Sequence, residues 1–292
     1  MKIRRLSGLR LGLLMASMLG APVFAASAAT AATAATAAPA ALPGASLFLE
    51  ELTWTELSER VAAGSTTVLV PIGGTEQNGP HMVLGKHNVR VHALAGLIAK
   101  SLGQTVVAPV LAYVPEGAIE PPAAHMRFAG TISIPDAAFE AVLESSARSF
   151  KRHGFKDVVF LGDHGSYQRN MERVATKLNH EWAGGGAAAC RVIALLDFYR
   201  ASVAGHAELL AARGFAKSEI GTHAGLADTS LTLAIDPALV RRDALPHAAK
   251  AGEREGTYGD PRRASAELGQ LGVDHIVALS VAAIRQRTGE RR

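Results

Sequence analysis

Three short segments of the sequence carry carboxylate and imidazole side chains close to glycine residues. They comprise residues 71–87, residues 162–166 and residues 221–230. Their polar members are Glu76, Asn78, His81 and His87 in the first segment, Asp163, His164 and Ser166 in the second, and Thr222, His223 and Asp228 in the third. Carboxylates and imidazoles are ligands that suit divalent metals such as zinc. Together, the segments predict a metal site, provided that the fold brings them to one place.

Each segment, taken alone, also has an ordinary structural interpretation. Glu76 could be a solvated loop acid, and Asp163 could cap the following helix while His164 packs in the core. Asp228 could be an acid in the first turn of a helix, where it faces the positive end of the helix dipole. A metal-binding function is favoured over these structural roles because all three segments supply metal ligands.

The elements that must position these segments are predicted from hydrophobic patterning. Short aliphatic runs predict strands at residues 67–71, 106–111, 131–134, 157–161 and 191–195. Helical periodicity appears around Phe139 to Phe150 and Met171 to Leu178. Strands that alternate with helices indicate an α/β fold with a mostly parallel, covered sheet. In open sheets of this type ligands bind beyond the carboxyl ends of the strands, and two of the three segments directly follow a predicted strand.

The first 46 residues are expected to lie outside the folded domain. Residues 1–25 combine four basic side chains, no acid, an apolar run and a small-residue cleavage pattern, which is typical of a secretory signal peptide. A membrane anchor is the alternative, but the run is shorter than the roughly 20 residues that span a bilayer. Residues 26–46 are almost wholly Ala, Thr, Ser and Pro and predict a disordered linker. We therefore expect a periplasmic or secreted protein whose domain occupies residues 47–292.

Composition excludes other classes of partner. The four basic residues of the leader equal the formal net charge of +4, so the remaining chain is formally neutral. With only 5% aromatic residues, it offers no electrostatic footprint or stacking platform for nucleic acid. No later segment is expected to cross a membrane. Cys190 lies in an apolar run, where a small buried hydrophobe is favoured over a nucleophile.

The three segments, in this order, resemble the motifs of the creatininase (creatinine amidohydrolase) family. The matching blocks are residues 71–81 with P-x-G-S-x-E-Q-H-G-P-H, residues 162–165 with N-G-H-G, and residues 223–230 with H-A-G-x-x-E-T-S. Two lesser blocks, residues 128–133 and 256–261, look like the family's G-T-I-S strand and G-D-P motif. The resemblance covers about residues 47–289. It implies a three-layer α/β/α sandwich, a divalent metal, hydrolysis of a small amide and frequently a hexamer.

We therefore expect a metal-dependent hydrolase that acts on carbon–nitrogen bonds other than peptide bonds. Its substrate would be a small amide or cyclic amide, and the chain would form a homo-oligomer. The resemblance assigns Glu76 and His164 to the metal. It also places His87 where the family has an aspartate ligand, Asn78 where it has a histidine, and Ser166 where it has a glutamate.

These departures reduce the expected number of ions. A carboxylate can bridge two cations, whereas a neutral imidazole offers one lone pair to one metal. We expect one ion per chain rather than two, zinc first and manganese as the alternative. Glu76, His87 and His164 then form a ligand set of two histidines and one carboxylate that keeps a position open for water, and the ion lowers the pKa of that water.

The other polar residues are expected to assist this set. Asp228 is a fourth ligand or orients a ligand, and Asp163 could orient one similarly. His223 is expected to transfer a proton to the departing nitrogen. Thr222 replaces the acid that precedes this histidine in the family's creatinine enzymes, which argues against creatinine as the substrate. Asn78, His81 and Ser166 are expected near the ligands or the substrate.

Two other interpretations stay open at this point. The changed ligand positions also fit a family member that has lost its chemistry and acts as a binding or scaffold protein. A serine hydrolase acting through Ser166 or Ser230 is weaker, because no G-x-S-x-G elbow accompanies either serine.

Overall fold

A parallel sheet lies at the centre of the computed structural model, which describes residues 46–184 and 190–289. Its strands are β1 (Thr67–Ile72), β2 (Thr105–Val107), β3 (Asp157–Gly162) and β4 (Arg191–Ala194). They lie in the order β2-β1-β3-β4, and each neighbouring pair is parallel. The strands are short and almost wholly apolar, because helices cover both faces of the sheet.

The helices occupy the connections between strands and the second half of the chain. In chain order they are α1 (Trp54–Ala62), α2 (Lys86–Leu102), α3 (Asp136–Arg152), α4 (Gln168–Trp182), α5 (Leu196–Arg200), α6 (His206–Ala211), α7 (Lys217–Ile220), α8 (Leu226–Ile235), α9 (Leu245–Ala251) and α10 (Ala266–Thr288). A π-helical turn at Ala201–Gly205 joins α5 to α6.

Alternate strand residues point to opposite faces of the sheet and build two separate cores. Val68 and Val70 of β1 pack in one core with α3 and α4. Leu69 of β1 and Val159 of β3 pack in the other core with α2 and α10. The structure therefore confirms a three-layer α/β/α sandwich with a parallel central sheet. Cys190 is a free, buried cysteine in the first of these cores.

The sheet differs from the sequence-based prediction at two places. The predicted strand at residues 131–134 is wrong. These residues form hydrogen bonds with the loops after β1 and β2 instead: the Ile132 N–H donates to the Thr75 carbonyl, and the Ile134 N–H donates to the Val114 carbonyl. β2 ends at Val107, earlier than predicted. Pro109 follows closely and has no N–H with which to continue a strand ladder.

α10 also differs from the expectation that no later segment could span a membrane. Its 23 residues are long and apolar enough to do so by length and composition. However, Val273, Ile276 and Ile284 of this helix are buried in the core against the sheet, which indicates a core helix. The predicted signal peptide and all but the last residue of the predicted linker lie outside the described residues.

Candidate metal centre

The loops at the carboxyl edge of the sheet bring the predicted polar segments together. Glu76 lies on the loop between β1 and α2, and His87 lies in the first turn of α2. His164 follows the end of β3 by two residues. His223 precedes α8, although no strand leads directly into its segment.

The loop that carries Glu76 is clamped by Asn78. The Asn78 side-chain amide donates from Nδ2 to the Glu76 carbonyl oxygen (2.9 Å) and to the Val83 carbonyl oxygen (3.0 Å). The Glu76 N–H donates to the Leu84 carbonyl oxygen at 3.1 Å. Asn78 therefore holds the turn that orients Glu76.

The segment that carries His223 is paired with residues 256–261. The Thr222 N–H donates to the Tyr258 carbonyl, and the Tyr258 N–H donates to the His223 carbonyl, each at 2.8 Å. Gly221 has a φ of 70°, and a Cβ atom there would lie 2.0 Å from the Tyr258 oxygen. Only glycine allows this close approach, which fixes the position of His223.

Glu76 is fully buried, and four histidines surround its carboxylate. Oε1 lies 2.7 Å from Nε2 of His87 and 3.7 Å from Nδ1 of His223. Oε2 lies 3.1 Å from Nε2 of His125 and 3.4 Å from Nε2 of His164. Burial by itself would raise the pKa of Glu76, but the neighbouring His164 and His87 hold it well below its ordinary value.

Neighbouring groups hold the rings of His87 and His164 in place. Nδ1 of His87 lies 2.7 Å from the Asp163 carboxylate and 3.1 Å from Nη2 of Arg90. Nδ1 of His164 lies 2.8 Å from Oγ of Ser166 and accepts from the Ser166 N–H at 3.3 Å. Both histidines therefore direct Nε2 at the Glu76 carboxylate.

Two imidazole nitrogens and a carboxylate that face one another fit a divalent cation. Oε2 of Glu76 is buried and has no hydrogen-bond partner among the described residues. The ligand atoms of Glu76, His87 and His164 all lie within 4.8 Å of one another. A second group that meets the same criterion, Glu76 with His125 and His223, shares this carboxylate. The atoms of the predicted set are therefore close enough together to bind one metal ion.

Asp228 lies apart from this set. Its Oδ1 accepts from Nη1 of Arg90 at 2.6 Å, and its Oδ2 accepts from Nζ of Lys86 and from the Ala224 N–H. Burial would raise the pKa of Asp228, but Lys86 and Arg90 hold it well below its ordinary value. Of the two predicted roles, this geometry favours the orienting one, because the carboxylate already accepts from two buried cations and Arg90 also contacts Nδ1 of His87.

Asp163 links these charges to the predicted ligand set. Its carboxylate accepts from Nε of Arg90 at 2.8 Å as well as from His87. The helix that follows is not capped by Asp163, since the residue before α4 is Tyr167. Asp163 therefore orients His87, the arrangement that commonly fixes a metal-binding imidazole.

The remaining predicted residues lie at the edges of the site. His81 is fully buried and places Nε2 at 2.9 Å from Oγ1 of Thr229, and burial lowers its pKa to about 4. Thr222 is exposed and lines the cavity described below. Ser166 gives its proton to Pro115 rather than to a histidine. Ser230 is fully buried and accepts from the Ser265 N–H, so neither serine is poised as a nucleophile.

The sequence-based prediction did not include His125 and Glu116, which both follow β2. Glu116 is buried, and Oε2 lies 3.2 Å from Nδ1 of His164. Burial and the nearby Glu76 raise the pKa of Glu116 to about 8, although His164 opposes this. The sequence could have indicated both residues, because polar residues that follow β2 reach the same edge of the sheet as those that follow β1 and β3.

A cavity of about 190 Å³ opens onto this site. His87, His125, His164 and His223 all line it. Tyr199, Val203 and Leu231 contribute less polar surface. The volume is below the roughly 300–1,000 Å³ of pockets for drug-sized ligands, so the cavity suits a small molecule.

The layered fold and the histidine–carboxylate site are those of a metal-dependent hydrolase, and comparisons with known proteins identify the family. The family model described as Creatininase, creatinine amidohydrolase, matches residues 50–284. The creatinine amidohydrolase of Pseudomonas putida is 28% identical over 259 residues, which are 82% of this chain and 97% of that protein. The mycofactocin precursor peptide peptidase of Mycolicibacterium smegmatis is 29% identical over 196 residues, 65% of this chain and 66% of that protein.

Solved structures agree with these matches. A structure described as creatininase Mn is 27% identical, has a TM-score of 0.69, and covers 84% of this chain and 99% of its own. A mutant creatininase described as Zn-Zn type has a TM-score of 0.68 at the same identity and coverage. The chain belongs to the creatininase family. It is a metal-dependent hydrolase of carbon–nitrogen bonds other than peptide bonds, as the sequence predicts. The manganese and zinc forms of the solved structures, together with the ligand groups around Glu76, support a divalent metal.

Proposed function

We propose that this protein is an exported amidohydrolase that hydrolyses a carbon–nitrogen bond of a small amide or cyclic amide. One divalent ion per chain, zinc or alternatively manganese, would be held by Glu76, His87 and His164. The observation that carries the proposal is the buried Glu76 carboxylate, which faces Nε2 of His87 and Nε2 of His164. Asp163 fixes one of these rings and Ser166 the other.

The chemistry divides between the ion and the chain. When bound, the ion supplies Lewis acidity, which activates water and polarises the substrate carbonyl. Hydrolysis adds the water oxygen to the carbonyl carbon and breaks the carbon–nitrogen bond, giving an acid and an amine. A group of the chain must carry the water proton to the departing nitrogen.

His223 is positioned for this proton transfer. Its Nε2 lies 3.0 Å from the Gln77 carbonyl oxygen, and its Nδ1 faces Glu76 at 3.7 Å. Burial, assisted by Lys86, lowers the pKa of His223 to about 3. The ring is therefore neutral at working pH, and it would hold the proton only briefly before it passes to the nitrogen.

The substrate is limited by the cavity and by Thr222. A volume of about 190 Å³ admits a small amide. A threonine stands before His223 where the family's creatinine enzymes have an acid, so we expect creatinine to be a poor substrate.

The proposed single ion follows from the chemistry of the replaced ligand positions. Asn78 and Ser166 offer neutral oxygens in place of an imidazole and a bridging-capable carboxylate, and Ser166 donates to the Pro115 carbonyl. We further propose a periplasmic or secreted location, on the basis of residues 1–25, and a homo-oligomer, such as a hexamer, on the basis of the family.

Metal content and turnover test this proposal together. Protein purified without chelators is expected to contain close to one zinc per chain by elemental analysis. Among small amides, lactams, cyclic imides and hydantoins, we expect zinc-dependent hydrolysis of at least one compound. His223→Ala should lower kcat by roughly 10²- to 10⁴-fold with the metal retained, while the exposed His247→Ala control should change neither.

Specific results would contradict this proposal. Two tightly held ions per chain would contradict the single site, and efficient creatinine hydrolysis would contradict the substrate class. Zinc binding without turnover of any amide would favour the catalytically degenerate binding protein. The geometry of the site favours catalysis over that interpretation, because His87, His164 and His223 all face the Glu76 carboxylate.

A further inference from the structure

The Gln77 side chain contacts both histidines that lie outside the predicted ligand set. Its Oε1 accepts from the Gly79 N–H at 2.9 Å, which fixes the orientation of the amide. Its Nε2, which can only donate, lies 2.9 Å from Nδ1 of His125 and 3.2 Å from Nε2 of His223. Gly256 packs directly over the amide, since a Cβ there would lie 1.9 Å from Oε1.

This contact determines the proton position on His125. Because Nε2 of Gln77 is a donor, Nδ1 of His125 must accept, so the ring proton lies on Nε2. That N–H lies 3.1 Å from Oε2 of Glu76. Oε2 nevertheless has no hydrogen-bond partner in good geometry within the described ranges. The N–H of His125 is therefore available to another acceptor.

His125 and His223 face Glu76 with different ring nitrogens. His125 presents the Nε2–H donor, whereas His223 presents Nδ1. The ring centroids are 4.7 Å apart, and both rings line the cavity. The fixed donor of His125 therefore lies beside the ring that is proposed to transfer the proton.

The donor also lies beside the predicted ligand set. Nε2 of His125 and Nε2 of His164 approach the same oxygen of Glu76, at 3.1 and 3.4 Å. A carbonyl oxygen that binds at this place comes within reach of the His125 N–H. Donors aimed at an oxygen that gains negative charge stabilise the transition state of acyl transfer.

We propose that His125 is a catalytic hydrogen-bond donor to the carbonyl oxygen of the scissile amide, and that Gln77 is the residue that positions it. This role rests on the proposed function. As water adds to the carbonyl carbon, the electron pair of the C=O bond moves to the oxygen, which accepts the hydrogen bond from Nε2. The pair returns when the carbon–nitrogen bond breaks. His125 keeps its proton throughout, while His223 carries the proton of the attacking water.

The same atoms could instead hold a second cation through Glu76, His125 and His223. That role would require a lone pair on Nε2 of His125, and hence a proton on Nδ1, which faces the donating amide of Gln77. The hydrogen bonds therefore favour the donor role over the ligand role. The two roles differ in an observable property, the nitrogen that carries the ring proton.

Long-range 1H–15N correlation spectra of the full chain with 15N-labelled histidine measure that property directly. We expect His125, assigned from the signal that is absent in His125→Leu, to carry its proton on Nε2 with and without one equivalent of zinc. In the zinc-loaded protein, His87 and His164 should carry theirs on Nδ1. A proton on Nδ1 of His125 in the zinc-loaded protein would overturn the proposal and favour the second cation.

Matched substitutions separate a donor from a ligand. His125→Leu removes the N–H, whereas the side-chain amide of His125→Gln can place an N–H near the same position. With acetohydroxamate as an oxygen-bearing probe of the zinc-loaded protein, we expect the first to weaken binding about tenfold and the second to recover part of the loss. Both should keep one zinc per chain. A loss of zinc in His125→Leu, or equal binding of the probe by all three proteins, would refute the donor role.

Gln77→Leu tests the positioning residue. Without the amide, Nδ1 of His125 loses its donor, so the spectra should show both proton positions instead of one, with the zinc content unchanged. An unaltered His125 spectrum would show that Gln77 has only a structural role. If unaltered protein binds no zinc, the proposed function fails, while the metal-free spectra still test the proton position on His125.

Discussion

Asp228→Asn is the substitution that best separates a metal ligand from a charge partner. The side chain keeps its size and an oxygen that can accept from the Ala224 N–H, so the change removes mainly the negative charge. Lys86 and Arg90, which Asp228 pairs, are 1% and 4% exposed. In the variant, Arg90 would keep its contact with Asp163, whereas Lys86 would lose the carboxylate that pairs with it.

The expected loss of stability follows from this charge imbalance. Removing one partner from a buried ion pair typically costs about 3–5 kcal/mol, because the other charge stays buried without compensation. Asp228 itself is 15% exposed and has two such partners. We therefore expect the free energy of unfolding of Asp228→Asn to fall by about 3–5 kcal/mol, while the Asp228→Asn protein still binds one zinc per chain.

Urea unfolding of metal-free protein at pH 7 measures the stability without a contribution from the ion. Asp243→Asn, at an exposed position, is the matched control and should change the free energy by less than about 0.5 kcal/mol. Adding Lys86→Met to Asp228→Asn should recover part of the loss, because it removes one of the stranded cations. If Asp228→Asn lost zinc as completely as His87→Ala and lost less than about 1 kcal/mol of stability, Asp228 would be a ligand.

The remaining predictions concern the ligands, the leader and the buried His81. Glu76→Gln, His87→Ala and His164→Ala should each lose most of the zinc at micromolar free metal by elemental analysis, and full occupancy in all three would place the site elsewhere. Deleting residues 1–46 should change Tm by less than about 2 °C in calorimetry, because residues 26–46 offer almost no large apolar side chain to bury; a large drop would show that this region packs. The pKa of His81 is about 4 in the fold against an ordinary 6.5, so its neutral form contributes stability above pH 6.5 that is lost as the pH falls towards 4. The loss should be about 3 kcal/mol in urea titrations, and an equal pH dependence in His81→Gln would contradict it.

The parts of the site that could be predicted from the sequence are those with a local signal. Glu76 and His164 follow aliphatic strands within glycine-containing loops, and the parallel sheet brings such loops to one edge. The partner of Asp228 could not be predicted in this way. Lys86 begins a helix and resembles a solvated lysine in sequence, and only the folded chain shows that it is buried beside residue 228.

His125 was missed for a related reason. Its ring is oriented by Gln77, which lies 48 residues earlier on the loop after another strand. A lone histidine in a loop offers no periodicity, and its function depends on contacts between loops that are distant in sequence. Sequence patterning therefore locates the edge of the sheet at which the site forms, while hydrogen bonds between loops decide what each residue there can do.

Asn78 and Ser166 show how the replaced ligand positions serve the remaining site. Asn78 donates to the carbonyl groups on either side of its own loop, which sets the course of the backbone at Glu76. Oγ of Ser166 lies 2.8 Å from Nδ1 of His164 and donates to the carbonyl of Pro115, the residue before Glu116. Each side chain thus forms hydrogen bonds with a loop that carries a carboxylate. The serine in place of a glutamate therefore contacts the ring of His164 and the loop of Glu116, while it offers no carboxylate to a second ion.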